Sequence, residues 1–323
     1  MKKLTIKEAV KLLIDGEAVG IPTETVYGLA ADARSDVATR KIFEAKGRPS
    51  DNPLIVHIGE RTQLEDLVTD VSEDASLLMD AFWPGPLTLI LKSKGVVSTL
   101  VSAGLDTIGI RMPGHKVALA ILRQSGVPLA APSANVSGKP SPTCAEHVVH
   151  DMQGRIVGVV DGGTCEVGLE STVIDMTRST PIILRPGGIS RAEIETLIGS
   201  VALTDEENPE VPRAPGMKYR HYAPEARVYL VKGSPAYFKK KVLDFKEKGL
   251  KVGELCCGMN EQMVDLGVVA YEMGERGQQL YAALRDFDAA GVDVVLCEYV
   301  EDEAVSNRLI KASEGCVLDE MED

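Results

Sequence analysis

The chain has 323 residues, enough for two domains of ordinary size and at least one substantial core. Apolar residues make up 44% and charged residues 26%, with 30 glycines and 17 prolines, which excludes disordered, collagen-like and low-complexity chains. Net charge is −13, with 20 basic and 24 acidic residues in the first 200 positions and 15 and 24 in the rest; this argues against broad charge-driven binding to nucleic acid or membrane, while a local basic pocket for phosphates remains compatible with it.

No stretch approaches 18 uninterrupted apolar residues, and the start, Met1 to Glu8, runs into charged positions without a signal-peptide apolar segment, so the chain is expected to be cytoplasmic. Six cysteines, at 144, 165, 256, 257, 297 and 316, form no C-x-x-C pair and have no histidine spaced for zinc; they read as reduced, mostly buried thiols.

In chain order, Thr5 to Asp15 is predicted as a helix, with Thr5 as N-cap, Glu8 at the capping-box position and Gly16 beyond its end. Ala18 to Pro22 reads as a strand that runs into the polar segment Pro22-Thr23-Glu24-Thr25-Val26-Tyr27-Gly28-Leu29. Asp36 to Lys46 has helical spacing and stops at Gly47 and Pro49. Strands are predicted at Leu54 to Ile58, Leu87 to Leu91, Thr107 to Arg111, Val127 to Ala131, Ile156 to Val160, Ser171 to Asp175 and Pro181 to Leu184. Helices between several of them imply a wrapped α/β sheet whose strand order the sequence leaves open.

Ala202 to Pro224 is acidic at first and then punctuated by Pro209, Pro212, Pro215 and Pro224, which marks a linker. Beyond it, strands at Arg227 to Val231, Val252 to Cys256 and Val292 to Glu298 alternate with helices at Ala236 to Lys248 and Glu275 to Ala290, as in a small parallel α/β domain. The expected domains are thus 1–201, a linker at 202–225 and a second domain at 226–323. Neither G-x-G-x-x-G nor G-x-x-x-x-G-K-[ST] occurs, so a Rossmann-like shape there implies no dinucleotide.

Several polar groups sit at the ends of apolar runs, and each has two readings. Thr23 to Thr25 after a strand suits a polar pocket at a sheet edge, or a cap on free backbone N–H groups. Lys46 and Arg48 suit polyphosphate, or a solvated helix end. His57 inside an apolar strand is a ligand contact or a satisfied structural histidine. Arg111 at a strand end grips a carboxylate or phosphate, or is an exposed arginine. Ser133 and Asn135 line a close backbone approach, or form an Asx or Ser turn; without G-x-S-x-G, Ser133 is a poor nucleophile. His147 and His150 are treated as surface residues. In the linker, Lys218, Arg220 and His221 with Tyr219 and Tyr222 have the make-up of a lid that docks on a site.

Taken together and in order, PTETVYGLA, KGRPSDNPLIVH, WPGPLTLIL, TIGIRMPGH, APSANVSGKPSPT, ESTVID and ILRPGGIS resemble the YrdC-like family over roughly residues 5 to 200. APGMKYRHYAP and the following domain resemble its longer, two-domain members. The resemblance implies a twisted mixed sheet wrapped by helices, followed by a smaller Rossmann-like domain. It implies L-threonylcarbamoyladenylate synthesis from L-threonine, bicarbonate or CO2, and ATP, usually with magnesium, releasing pyrophosphate; the product feeds tRNA threonylcarbamoyladenosine through downstream threonylcarbamoyl-transferase proteins. By the same resemblance, Lys46, Arg48, Asn52, Thr107, Ser133, Asn135, Ser141, Arg185 and His221 surround ATP. Lys46 and Arg48 are the catalytic pair, and Thr25, His57, Arg111, Ala131 and Ser171 surround threonine. The metal ligands are unassigned, and no stable nucleic-acid or membrane binding is expected. The alternatives are an RNA-binding module and a carbamoyl-phosphate-dependent carbamoyltransferase.

Overall fold

The computed structural model describes residues 1–203, 222–256, 269–274 and 277–322. Most of the linker expected at 202–225, including His221, lies outside the described residues, as do Cys257 and the predicted helix start at Glu275. The chain forms two compact units, one of Met1–Ser137 and Ser141–Tyr219, the other of Gly138–Pro140 and Arg220–Asp323.

The first unit is built on β1 (Lys2–Lys3), β2 (Val19–Ile21), β3 (Gly28–Asp32), β4 (Ile55–His57), β5 (Leu87–Lys92), β6 (Thr107–Arg111), β7 (Leu129–Ala130), β8 (Gly158–Val159), β9 (Thr172–Asp175), β10 (Ile182–Arg185) and β11 (Ala202–Leu203). They form one mixed sheet in the order β1-β8-β2-β3-β7-β4-β6-β5-β9-β10-β11. Local signals set the helices. Helix Ile6–Ile14 starts on the Thr5–Glu8 capping box. Helix Asp36–Lys46 starts on the Ser35 side chain and ends on Gly47 at φ 60°, a left-handed conformation that glycine adopts without steric cost.

Strand alternation divides the side chains between two layers. Leu29, Ala31, Val56, Leu89, Ile108, Ile110 and Ile174 enter the larger core. On the other face, Val19, Ile21, Ala30 and Leu129 pack beneath helices Ile6–Ile14 and Lys116–Ser125. Further along that face Ile55, Ile90, Val173 and Leu184 form a small apolar cluster. Tyr27, fully buried, donates its phenol hydrogen to the Gly163 carbonyl at 2.7 Å and accepts the Gly162 N–H at 3.0 Å, fixing the loop after β8.

The second unit holds β12 (Arg227–Lys232), β13 (Val252–Cys256), β14 (Val269–Glu272), β15 (Val294–Glu298) and β16 (Val317–Asp319), paired in the order β14-β13-β15-β12-β16. All four pairings are parallel, as the alternating pattern predicts. Tyr237, Phe238 and Val242 of helix Pro235–Glu247 cover Val231, Val252 and Leu296 on one face. On the other, the Phe287 ring of helix Leu280–Ala290 lies so close to β13 that a Cβ at Gly253 would come within 2.6 Å of it. Within this unit the Tyr222 ring stacks on Tyr281 at 5.3 Å, and the Ala223 N–H donates to the Gly138 carbonyl at 2.9 Å.

Glu254, in the middle of β13 between Ala270 and Leu296, is fully buried, and neither carboxyl oxygen has a hydrogen-bond partner. Burial pushes its pKa up from 4.5 to about 7, against a smaller opposing pull from Lys246. The fold therefore favours the protonated form, and stability is lost as pH rises from the unfolded value through the folded one. Replacing Glu254 with Met should flatten the pH dependence of stability between pH 5 and 8 and stabilise this unit at pH 8 by up to ~3 kcal/mol, read from denaturant midpoints across that range.

Candidate functional site

In β6, alternation that sends Ile108 and Ile110 into the larger core turns Thr107, Gly109 and Arg111 to the opposite face. Ile55 and His57 of β4 lie beside Gly109 and Arg111 in register, and Ile90 of β5 lies beside Gly109 from the other side. Gly109 is a low point in this face: a Cβ there would meet Ile90 Cδ1 at 3.2 Å and Thr88 Cγ2 at 3.3 Å. Thr107 and Arg111 are four residues apart on one strand, about 13 Å at ~3.3 Å per residue. The candidate site thus runs along the face of the sheet, where the sequence pointed to its carboxyl edge.

At one end of this face Arg111, 4% exposed, is held by three neighbours. Its Nε donates to the Gly85 carbonyl at 3.1 Å, Nη1 to Thr25 Oγ1 at 2.9 Å and Nη2 to Glu24 Oε1 at 2.6 Å. The exposed-arginine reading is excluded. Burial alone raises the Glu24 pKa, but the Arg111 charge, the Gly114 backbone N–H and the Arg111 hydrogen bond outweigh it and hold the carboxyl below its ordinary value. Thr25 Oγ1 also lies 2.8 Å from Thr23 Oγ1. His57 is drawn down to about 3, by burial first and the Arg111 charge second, and so is neutral at physiological pH. The Cys165 thiol is pushed up to about 12 by burial and then by Glu24. Ser171 hydrogen-bonds Thr88 Oγ1 at 2.8 Å, and its carbonyl accepts from Nε and Nη2 of Arg185 at 3.2 and 3.0 Å.

Lys46, on the last turn of helix Asp36–Lys46, is 1% exposed, which excludes a solvated helix end. Its Nζ donates to the carbonyls of Ser133 and Asn135 at 2.5 and 2.7 Å, so this charge ties the helix to the loop after β7. Ala131 begins that loop with its N–H on the Ile55 carbonyl at 3.0 Å. Arg48, half-buried beyond the helix, donates Nη2 to the Pro53 carbonyl at 3.2 Å. Asn52 is 1% exposed, and neither its amide nitrogen nor its amide oxygen has a partner. A buried polar group left so costs about 1–3 kcal/mol, which a bound ligand would offset. Ser141 Oγ donates to Glu170 Oε1 at 2.6 Å.

Sequence reasoning missed Glu24, Thr88 and Glu170 as partners of the site. Glu24 and Glu170 stand inside quoted motifs, but the residues that pair with them lie 87 and 29 positions away. His147 accepts the Thr143 N–H and the exposed His150 lies beside Asp151, so both have ordinary structural contacts. Among the described residues no group of three or more His, Cys, Asp or Glu could hold a metal. No helix of the described residues is long and apolar enough to cross a membrane.

A family model for Sua5, YciO and YrdC proteins, described as telomere recombination, matches residues 11–187. A second, for the threonylcarbamoyl-AMP synthase C-terminal domain, matches residues 189–314. A Bacillus subtilis protein named threonylcarbamoyl-AMP synthase is 48% identical, with 97% of this chain and 94% of that protein covered. A Pyrococcus abyssi protein of the same name is 46% identical over 95% of this chain and 94% of its own length. The crystal structure of P. abyssi Sua5 complexed with L-threonine superposes with a TM-score of 0.92 at 43% identity, covering 98% of this chain and 97% of that one. The matches run through both units, and the chain belongs to the Sua5/YciO/YrdC family, in its two-domain form.

Proposed function

We infer that this chain joins L-threonine, bicarbonate or CO2, and ATP to give L-threonylcarbamoyl-AMP and pyrophosphate, for the threonylcarbamoyladenosine modification of tRNA. The observation that carries the reading is the sheet face that holds buried Arg111 at one end of β6 and the Thr107 hydroxyl about 13 Å along the same strand, together with buried Asn52, whose two amide atoms have no partner, in a chain of this family.

The amine of threonine adds to CO2, losing a proton, and one oxygen of the resulting carbamate attacks the α-phosphorus while the bond to pyrophosphate breaks. With bicarbonate the same addition releases water. No protein nucleophile is needed, so catalysis is positioning and charge stabilisation. In this reading Arg111 receives the threonine carboxylate, and Thr25, Ser171 and the Ala131 backbone complete the amino-acid subsite. Polar contact to the substrate hydroxyl there rejects valine far more strongly than an apolar pocket would. His57, neutral throughout the physiological range, orients substrate. Asn52, Thr107, Ser133, Asn135, Ser141 and Arg185 face the nucleotide, Arg48 faces the phosphates, and Lys46 adds charge from behind while shaping the loop at Ser133. Magnesium would enter with ATP and would supply charge to the triphosphate; among the described residues no group of three or more His, Cys, Asp or Glu would hold it. The product passes to the proteins that transfer the threonylcarbamoyl group to tRNA.

Pyrophosphate release with MgATP should require both L-threonine and bicarbonate, and should fall at least tenfold in Lys46→Ala and in Arg48→Ala. Release with carbamoyl phosphate in place of bicarbonate, or none from folded wild-type protein, sinks the reading. Arg111→Lys, which keeps a charge but loses the fork, should raise the KM for threonine at least tenfold with the KM for ATP within twofold, as steady-state kinetics would record. Because His57 titrates near 3, kcat/KM for threonine should show no His57-dependent break between pH 5 and 8. Comparison of wild-type and His57→Gln pH profiles should give the same shape, with the variant displaced downward.

A further inference from the structure

Glu24 has no part in the reaction as derived, yet it is an ionised, buried carboxylate beside the proposed amino-acid subsite. One oxygen takes the Arg111 Nη2 hydrogen at 2.6 Å, and the other, Oε2, is buried without a hydrogen-bond partner. Three of the five N–H groups of Arg111 are engaged, by Gly85, Thr25 and Glu24. The titratable neighbours His57 and Cys165 are uncharged at neutral pH. The pair therefore cancels to zero in a place where an uncancelled charge would be strongly felt.

We propose that Glu24 makes the amino-acid subsite a receptor for a zwitterion: Arg111 draws the carboxylate, the Glu24 charge draws the ammonium, and a neutral pocket disfavours the bare anion of a hydroxy acid. This deepens the threonine assignment above and rests on it. Glu24 acts here through the field it sets and through the orientation of Arg111, which makes it a positioning and specificity residue. An uncharged residue of the same shape would leave the pocket cationic, and the preference between the two ligand classes would move toward the anion.

The test is calorimetric titration of the full chain, wild type, Glu24→Gln and Glu24→Asp, with L-threonine and with 3-hydroxybutyrate, which is threonine without its amino group. Thermal unfolding checks that each protein is folded. Wild type is expected to prefer threonine by at least tenfold. In Glu24→Gln the ratio of the two dissociation constants should shift toward 3-hydroxybutyrate by at least tenfold, equivalent to about 1.4 kcal/mol. Glu24→Asp, which retains the charge, should keep the wild-type order. Equal weakening of both ligands in Glu24→Gln, as a purely structural role requires, overturns the proposal, and so does an unchanged ratio. If Glu24→Gln does not fold, equal wild-type affinity for the two ligands, or a reversed order in Glu24→Asp, overturns it. A wild-type protein that binds no threonine refutes the parent assignment instead.

Discussion

The central strands of the first unit are covered on both sides, so every polar group placed on them has to find its partners inside the protein. A strand buried on two faces ordinarily carries apolar side chains throughout. Here β4, β5, β6 and β9 keep that pattern toward the larger core and break it on the other face, where Thr107, Arg111, His57 and Thr88 alternate with Gly109, Ile55, Ile90 and Val173. The break is tolerable because the exceptions satisfy one another: Thr88 meets Ser171, Arg111 meets Thr25 and Glu24, and Arg185 meets the Ser171 carbonyl. His57 takes the remaining course open to a buried titratable group and gives up its proton. Asn52 alone among these side chains keeps both amide atoms without a partner.

The loops follow from the same requirement. Segments rich in Pro, Gly and Ser have little side chain to pack, and they are fixed by hydrogen bonds from residues distant in sequence. Lys46 reaches across 87 and 89 positions to the carbonyls of Ser133 and Asn135, and Tyr27 reaches across 136 to Gly163. Arg111 does the same for Gly85, in a turn whose own glycine would bring a Cβ within 2.4 Å of the Phe82 carbonyl oxygen. A cationic or phenolic side chain at the end of a regular element serves as the anchor in each case, so losing one of these side chains would disturb a loop as well as a charge.

What could be read from the sequence follows the range over which each signal acts. Helix Asp36–Lys46 matches its predicted bounds because both of its ends are written locally, in Ser35 and Gly47. The strand at Thr107–Arg111 also matches, from alternation alone. By contrast β3 begins at Gly28, inside a stretch that reads as loop because threonines, a proline and a glutamate crowd its start. The short β14 and β16 have too few residues to show a period. Strand order, the position of the site on the sheet face, and the pairing of Glu24 with Arg111 all depend on contacts between distant positions, which a single sequence does not display. The family motifs indicate which residues matter; the register of β4 against β6 shows that His57 and Arg111 stand side by side.

The strand order of the second unit also sets when that unit can assemble. Its first strand, β12, pairs with β15 and β16 and with neither β13 nor β14, the described strands made in between. On a translating ribosome at ~5–20 residues per second, about 60 residues separate the end of β12 from the start of β15, a delay on the order of 3–12 s. During that interval the segment Val228 to Val231 has no neighbour in its own sheet, and β16, which also pairs with β12, is made later still. Pairing of β12 therefore waits on chain made well after it, and the non-local order of this small sheet sets a lower limit on how early the unit can form during synthesis.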